Sequence, residues 1–88
     1  MEIKALRDRI DIIDDELTRL FVKRMEISAQ VAAYKRENNL PIYVPAREQE
    51  ILRNISGKVN PEMEKYAQSL YSLIFDLSRS YQKDLFEK

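Results

Sequence analysis

The sequence predicts an all-α protein, and three observations predict it. The chain carries one Gly and three Pro in 88 residues, too few for the turns an all-β fold requires. No Pro or Gly interrupts residues 2–39. Across that stretch the apolar residues recur at alternating intervals of three and four. They run from Ile3, Leu6 and Ile10 through Ile13, Leu17 and Leu20 to Ile27, Val31 and Tyr34, with Arg24 in one of the slots. This is the a/d seam of a heptad repeat.

The reading is long helix, short helix, long helix. The first helix is expected over residues 2–39, with Asn38 and Asn39 ahead of Pro41 as its stop. The second, over residues 45–56, opens on Pro45 at the first helical position. It carries a short apolar face of Ala46, Ile51, Leu52 and Ile55, and Gly57 is its expected C-terminal stop. The third, over residues 61–86, opens on Asn60-Pro61-Glu62, an N-cap, a first-turn proline and an acidic first turn. Its seam reads Met63, Ala67, Leu70, Ile74, Leu77, Tyr81. Residues 1–88 are expected to form one domain.

Length then decides assembly. A helix over residues 2–39 is roughly 55 Å long at 1.5 Å per residue. A compact chain of this size has a radius of gyration of about 12 Å. The helix overhangs its own monomer, and its seam persists along nearly its whole length. The expected solution is an intertwined homodimer, a bundle in which a second copy buries the overhang.

Composition excludes several function classes. Apolar residues make up 44% and charged residues 34% of the chain, a globular balance. Fifteen basic residues offset fifteen acidic ones, so the basic excess of a nucleic-acid binder is missing. With no Cys and no His, there is no disulfide, no Cys nucleophile and no Ser-His-Asp arrangement, and no metal site is expected. No apolar run reaches the length of a membrane span, and the first sixteen residues are charged throughout. A soluble, cytoplasmic protein that contacts no membrane is the expectation.

The chemistry is expected where polar residues interrupt the seams. Arg24 takes an a position, and by itself it reads as a register-setting residue or one that snorkels to the surface. Lys35 lies three turns further on, so both cations share a helix face about 16 Å apart along the axis. Ser28, Val31 and Ala32 between them are small enough to leave a hollow. Two cations facing one hollow call for a polyanion; alternatively, Lys35 caps the helix C-terminus. Arg7 is about 25 Å from Arg24 along the helix. It reaches the hollow only from the other chain of an antiparallel dimer, or else is an ordinary surface charge. On the third helix, Ser78 and Gln82 are one turn apart and offer uncharged donors, or ordinary helix surface. Arg47 and Glu48 fall in the first turn of the second helix, where Glu48 also suits the helix dipole.

Taken together these residues resemble the all-α chorismate mutases. The ordered set spans nearly the whole chain: Ala5-Leu6-Arg7-Asp8-Arg9-Ile10, Lys23-Arg24, Lys35, the run from Pro41 to Glu50, then Ser78 with Gln82. Each piece is weak; the order, with a loop of the form P-I-Y-x-P-x-R-E, is specific. The resemblance implies an intertwined helical dimer with two shared active sites. It implies conversion of chorismate to prephenate, a unimolecular Claisen rearrangement that needs no cofactor, metal or nucleophile. By this resemblance Arg24 and Arg7 of the partner subunit bind the two carboxylates, forks that fix geometry as well as charge. Lys35 and Gln82 donate to the ether oxygen, where negative charge develops as the C–O bond breaks. Ser78 helps hold a carboxylate, Glu48 accepts from the ring hydroxyl and Arg47 orders the charges of the site. Many relatives carry Asp where this chain has Val44, so only the Val44 backbone is expected to contribute. Two rivals remain: an isochorismate-pyruvate lyase of the same fold, and a non-catalytic dimerisation or regulatory module. Glu48 favours the mutase over the first, and the shared face of Arg24 and Lys35 favours it over the second.

Overall fold

A computed structural model describes residues 2–86; Met1, Glu87 and Lys88, at the edges of the expected domain, lie outside the described residues. Three α-helices follow in order, α1 (Ile3–Glu37), α2 (Pro45–Ser56) and α3 (Glu64–Phe86), and no strand occurs among the described residues.

The first helix stops two residues short of the expected residue 39, and the cause is local. Asn39 adopts φ 55°, a left-handed conformation that Asn tolerates better than most side chains. Its N–H then reaches back to the Arg36 carbonyl (3.3 Å), and the Leu40 N–H reaches the Lys35 carbonyl (2.8 Å). These are the two bonds of a Schellman cap. The Asn38 side chain closes the end by donating to the Tyr34 carbonyl at 2.8 Å.

The two shorter helices begin without side-chain caps. Val44 precedes Pro45 with an apolar side chain, and its carbonyl accepts from the N–H groups of Arg47 (3.1 Å) and Glu48 (3.3 Å). Asn60, expected as an N-cap, makes no side-chain cap bond. The third segment starts as a single 3₁₀ turn at Pro61–Met63, and the α-helix proper begins at Glu64. Gly57 does follow the last residue of α2. It sits at φ −74°, a right-handed conformation that uses none of glycine's freedom.

Packing within the chain is thin. Helix α3 lies against both others, tied to α1 by the stacking of Arg36 on Phe86 (5.1 Å) and to α2 by Gln68 Nε2 donating to Ser56 Oγ (2.6 Å). Only Ala32 and Phe75 are buried apolar residues among those described, with Ser78 beside them. The radius of gyration is 16.2 Å and the longest dimension 55 Å, against about 12 Å for a compact chain of this length. The expected seams are only in part the faces that meet: Arg24, Ala67 and Ile74 are half-buried. Ile10, Ile13, Leu17 and Leu20 on α1 are exposed, and so are Met63 on the 3₁₀ turn and Leu70, Leu77 and Tyr81 on α3. The inward row of α3 is Tyr71, Phe75, Ser78 and Gln82 instead. No helix is long and apolar enough to cross a membrane among the described residues.

Candidate functional site

The polar interruptions of the helices converge on one hollow of about 110 Å³. Helix α1 contributes Arg24, Ser28 and Lys35. Val44, Arg47 and Glu48 enter from the start of α2, and Phe75, Ser78, Arg79 and Gln82 line the α3 side. Of the eight residues singled out in the sequence, seven therefore meet here. Arg7 does not: it is exposed on the second turn of α1 and absent from the lining. Val31, expected between the two cations, is exposed on the seam; Ser28 lines the hollow, and Ala32 is fully buried and outside its lining.

Each side chain is held in a way its neighbours explain. Arg24 does not snorkel. It is half-buried, with its guanidinium 5.9 Å from the Tyr71 ring centre and 5.8 Å from that of Phe75. Ring faces attract a cation without neutralising it, so the charge stays available to an anion. Lys35 Nζ donates to the Ile42 carbonyl at 3.2 Å, which ties the loop before α2 to α1. The Ser78 hydroxyl lies within donating distance of Ser28 Oγ (3.2 Å) and Met25 Sδ (3.7 Å). The Gln82 amide makes no side-chain hydrogen bond among the described residues. Arg47 stands at the exposed rim, paired with Glu50 at 2.5 Å.

Arg79 was missed by the sequence reading. Its Nη1 is hydrogen-bonded to Glu48 Oε2, its Nη2 to Asp76 Oδ1 at 2.6 Å, and its guanidinium lies 4.7 Å from the centre of the Tyr43 ring. The hydrogen bond to Glu48, above all, raises its pKa beyond the ordinary arginine value, against a smaller lowering by burial. Its nearest sequence signal is the spacing Asp76–Arg79, an i,i+3 pair on one helix. Nothing in the sequence places Glu48 or Tyr43 beside it. A second cavity of about 440 Å³ shares Ile42, Arg79 and Gln82 with the first.

Charge sets the chemistry. Neither Arg24 nor Lys35 has a carboxylate within ion-pair distance among the described residues, and the one acidic side chain of the hollow, Glu48, is taken up by Arg79. No cluster of acidic side chains fit for a metal ion occurs among the described residues. The arrangement defines an all-α protein with a hollow built from positioned cations and neutral donors.

Comparison with known proteins gives that class a family. The chain belongs to the chorismate mutase type II family, whose model matches residues 6–83. It is 36% identical over 86 residues to a bifunctional chorismate mutase/prephenate dehydratase of Buchnera aphidicola, covering 96% of this chain and 23% of that protein. It is 44% identical over 54 residues to a protein of the same description from Aquifex aeolicus, 61% of this chain and 15% of the relative. Against the T-protein of Haemophilus influenzae it is 50% identical over 46 residues, 52% of this chain and 12% of the relative. The chain thus spans less than a quarter of the length of these curated relatives. No solved structure gives a significant match.

Proposed function

We propose that the chain rearranges chorismate to prephenate as an intertwined homodimer, with Arg7 of the partner subunit completing each site. The observation that carries this reading is the pair of cations, Arg24 and Lys35, facing one hollow with no carboxylate to neutralise either. A dianion of chorismate's shape supplies the missing charge. The hollow of one chain is smaller than the roughly 300–1,000 Å³ of ordinary small-molecule pockets, which fits a site walled in part by a second chain. The exposed apolar seams of α1 and α3 support the same assembly.

The mechanism follows from the residue types. Arg24 holds one carboxylate and Arg7 of the partner subunit the other, so the flexible enolpyruvyl arm is kept over the ring. Bond breaking places negative charge on the ether oxygen, toward which Lys35 and Gln82 direct donors. Ser78 turns its hydroxyl from Ser28 to a carboxylate, and Glu48 accepts from the ring hydroxyl. No proton moves, so no general base is required, and no cofactor takes part. The expectation of a cytoplasmic enzyme belongs to this reading and rests on membership of a biosynthetic family.

The test is direct. Purified protein is mixed with chorismate, the loss of its absorbance is followed and the product identified. Prephenate supports the reading. Pyruvate released from isochorismate, with chorismate untouched, would point to the lyase, and no turnover to a non-catalytic module.

A further inference from the structure

The reaction proposed above gives Arg79 no task, yet no other side chain of the hollow has so many partners. Three elements fix it at once: Asp76 one turn back on α3, the Tyr43 ring in the loop, and Glu48 on α2. Its bond to Glu48 is the only ion pair joining two helices among the described residues; the others are i,i+3 or i,i+4 pairs within one helix. The Arg79 and Glu48 side chains are 33% and 22% exposed, whereas both partners of every pair that excludes Arg79 are more than half exposed. Solvent therefore screens this pair least.

Two features decide what the pair does. First, Arg79 is not available to a substrate carboxylate in the way Arg24 is, because both of its terminal nitrogens already hold carboxylates. Second, the pair engages only Oε2 of Glu48, and Oε1 has no partner among the described residues. An ionised carboxylate accepts at both oxygens. Glu48 is the one acid lining the hollow, and Val44 beside it offers an apolar side chain.

We propose that Arg79 is a positioning residue for substrate specificity: it clamps Oε2 of Glu48 so that Oε1 is presented as the acceptor for the ring hydroxyl. The inference rests on the proposed rearrangement. Arg79 touches no reacting atom and acts through Glu48. A hydroxyl held equally in the ground and transition states lowers KM and leaves kcat unchanged. Arg79 should therefore matter to KM, and only for substrates that carry the hydroxyl.

The experiment measures kcat and KM on chorismate and on an analogue lacking the ring hydroxyl. The proteins are the wild type, Arg79→Met, Arg79→Lys, Glu48→Gln and the double variant Glu48→Gln/Arg79→Met. With chorismate, Arg79→Met should raise KM about tenfold, the worth of one charge-assisted hydrogen bond, with kcat nearly unchanged. The double variant should be no worse than Glu48→Gln alone, because the two residues act as one unit. Arg79→Lys should recover part of the loss, since a point charge reaches Glu48 but cannot also fork to Asp76. On the analogue Arg79→Met and Arg79→Lys should match the wild type, and the double variant should match Glu48→Gln. Parallel losses on both substrates, or additive losses in the double variant, would overturn the inference by showing a structural role or a direct substrate contact. Circular dichroism checks folding, and if Arg79→Met fails to fold, Arg79→Lys on the two substrates decides. A wild type inert toward chorismate overturns the proposed rearrangement and this inference with it; turnover without substrate-dependent loss overturns this inference alone.

Discussion

The two halves of α1 follow one heptad repeat and face different surroundings. From Ile10 to Leu20 the seam is exposed, with Leu17 at 55%. From Arg24 onward a second row, Arg24, Ser28 and Ala32, turns against α3 and becomes half-buried or buried, while the seam residues Ile27, Val31 and Tyr34 stay outside. The helix therefore carries two faces along its C-terminal half and one along its N-terminal half. In the proposed dimer a second chain covers the heptad face, and the i,i+4 row builds the hollow. On this proposal association and chemistry draw on two stripes of one helix that diverge after Arg24, so substitutions on each stripe should fail in different ways.

The largest effect should come from the N-terminal half. Leu17→Asp places a charge where the proposed dimer buries apolar surface, at an effective cost of several kcal/mol. The expected outcome is loss of the folded dimer and of all activity, read by sedimentation and circular dichroism. A variant that remains an active dimer would show that this seam is not the interface.

Next come substitutions that spare the fold and stop the reaction. Arg24→Ala and Arg7→Ala should each lower kcat/KM by about a hundredfold or more, the scale of removing one preorganised donor. Both should still sediment as dimers. An Arg7→Ala chain with unimpaired turnover would leave the N-terminal half with a purely structural task.

Gln82→Glu gives a conditional effect. The wild-type amide donates at any ordinary pH because it does not titrate, whereas an ionised Glu repels the charge developing on the ether oxygen. Activity should be lost near neutral pH and recovered as pH falls, measured as kcat/KM between about pH 4.5 and 8. Arg79 adds no pH dependence of its own there. Its raised pKa keeps its contribution whole below the ordinary arginine value, and it is lost only as pH rises through the folded-state value. A Glu variant equally active at both ends of the range would move Gln82 away from the ether oxygen.

The smallest effect concerns stability. Val44 supplies no side-chain cap to α2, so Val44→Asp should stabilise the protein by about 1 kcal/mol. For a domain of this size that is a rise in Tm of roughly 4–8 °C. An unchanged Tm would mean that the new carboxylate turns to the cations of the hollow instead of the helix end.

How much of this was legible in the sequence depended on how local its cause was. The stop of α1 could be read from Asn38 and Asn39, because a Schellman cap involves only neighbouring residues. Pro45 marked the start of α2 for the same reason. The shared face of Arg24 and Lys35 followed from helix geometry alone. The inward face of α3 did not follow: Leu70, Leu77 and Tyr81 belong to the more apolar row, yet Tyr71, Phe75 and Ser78 pack within the chain. Periodicity shows that a seam exists, not which partner fills it. Arg79 was illegible for a stronger reason, since its partners Glu48 and Tyr43 lie more than thirty residues away and meet it only through the loop that Lys35 fastens.

The central claim is that one active site is assembled from two chains, and mixed dimers test it most directly. Arg7→Ala and Arg24→Ala chains, each inactive as a homodimer, are combined and the heterodimer isolated. In that species one site receives an intact Arg7 from one chain and an intact Arg24 from the other, while its second site lacks both. The account predicts recovery of about half the wild-type turnover per dimer. Verified heterodimers that stay as inactive as either parent would contradict it, and would place Arg7 outside the site.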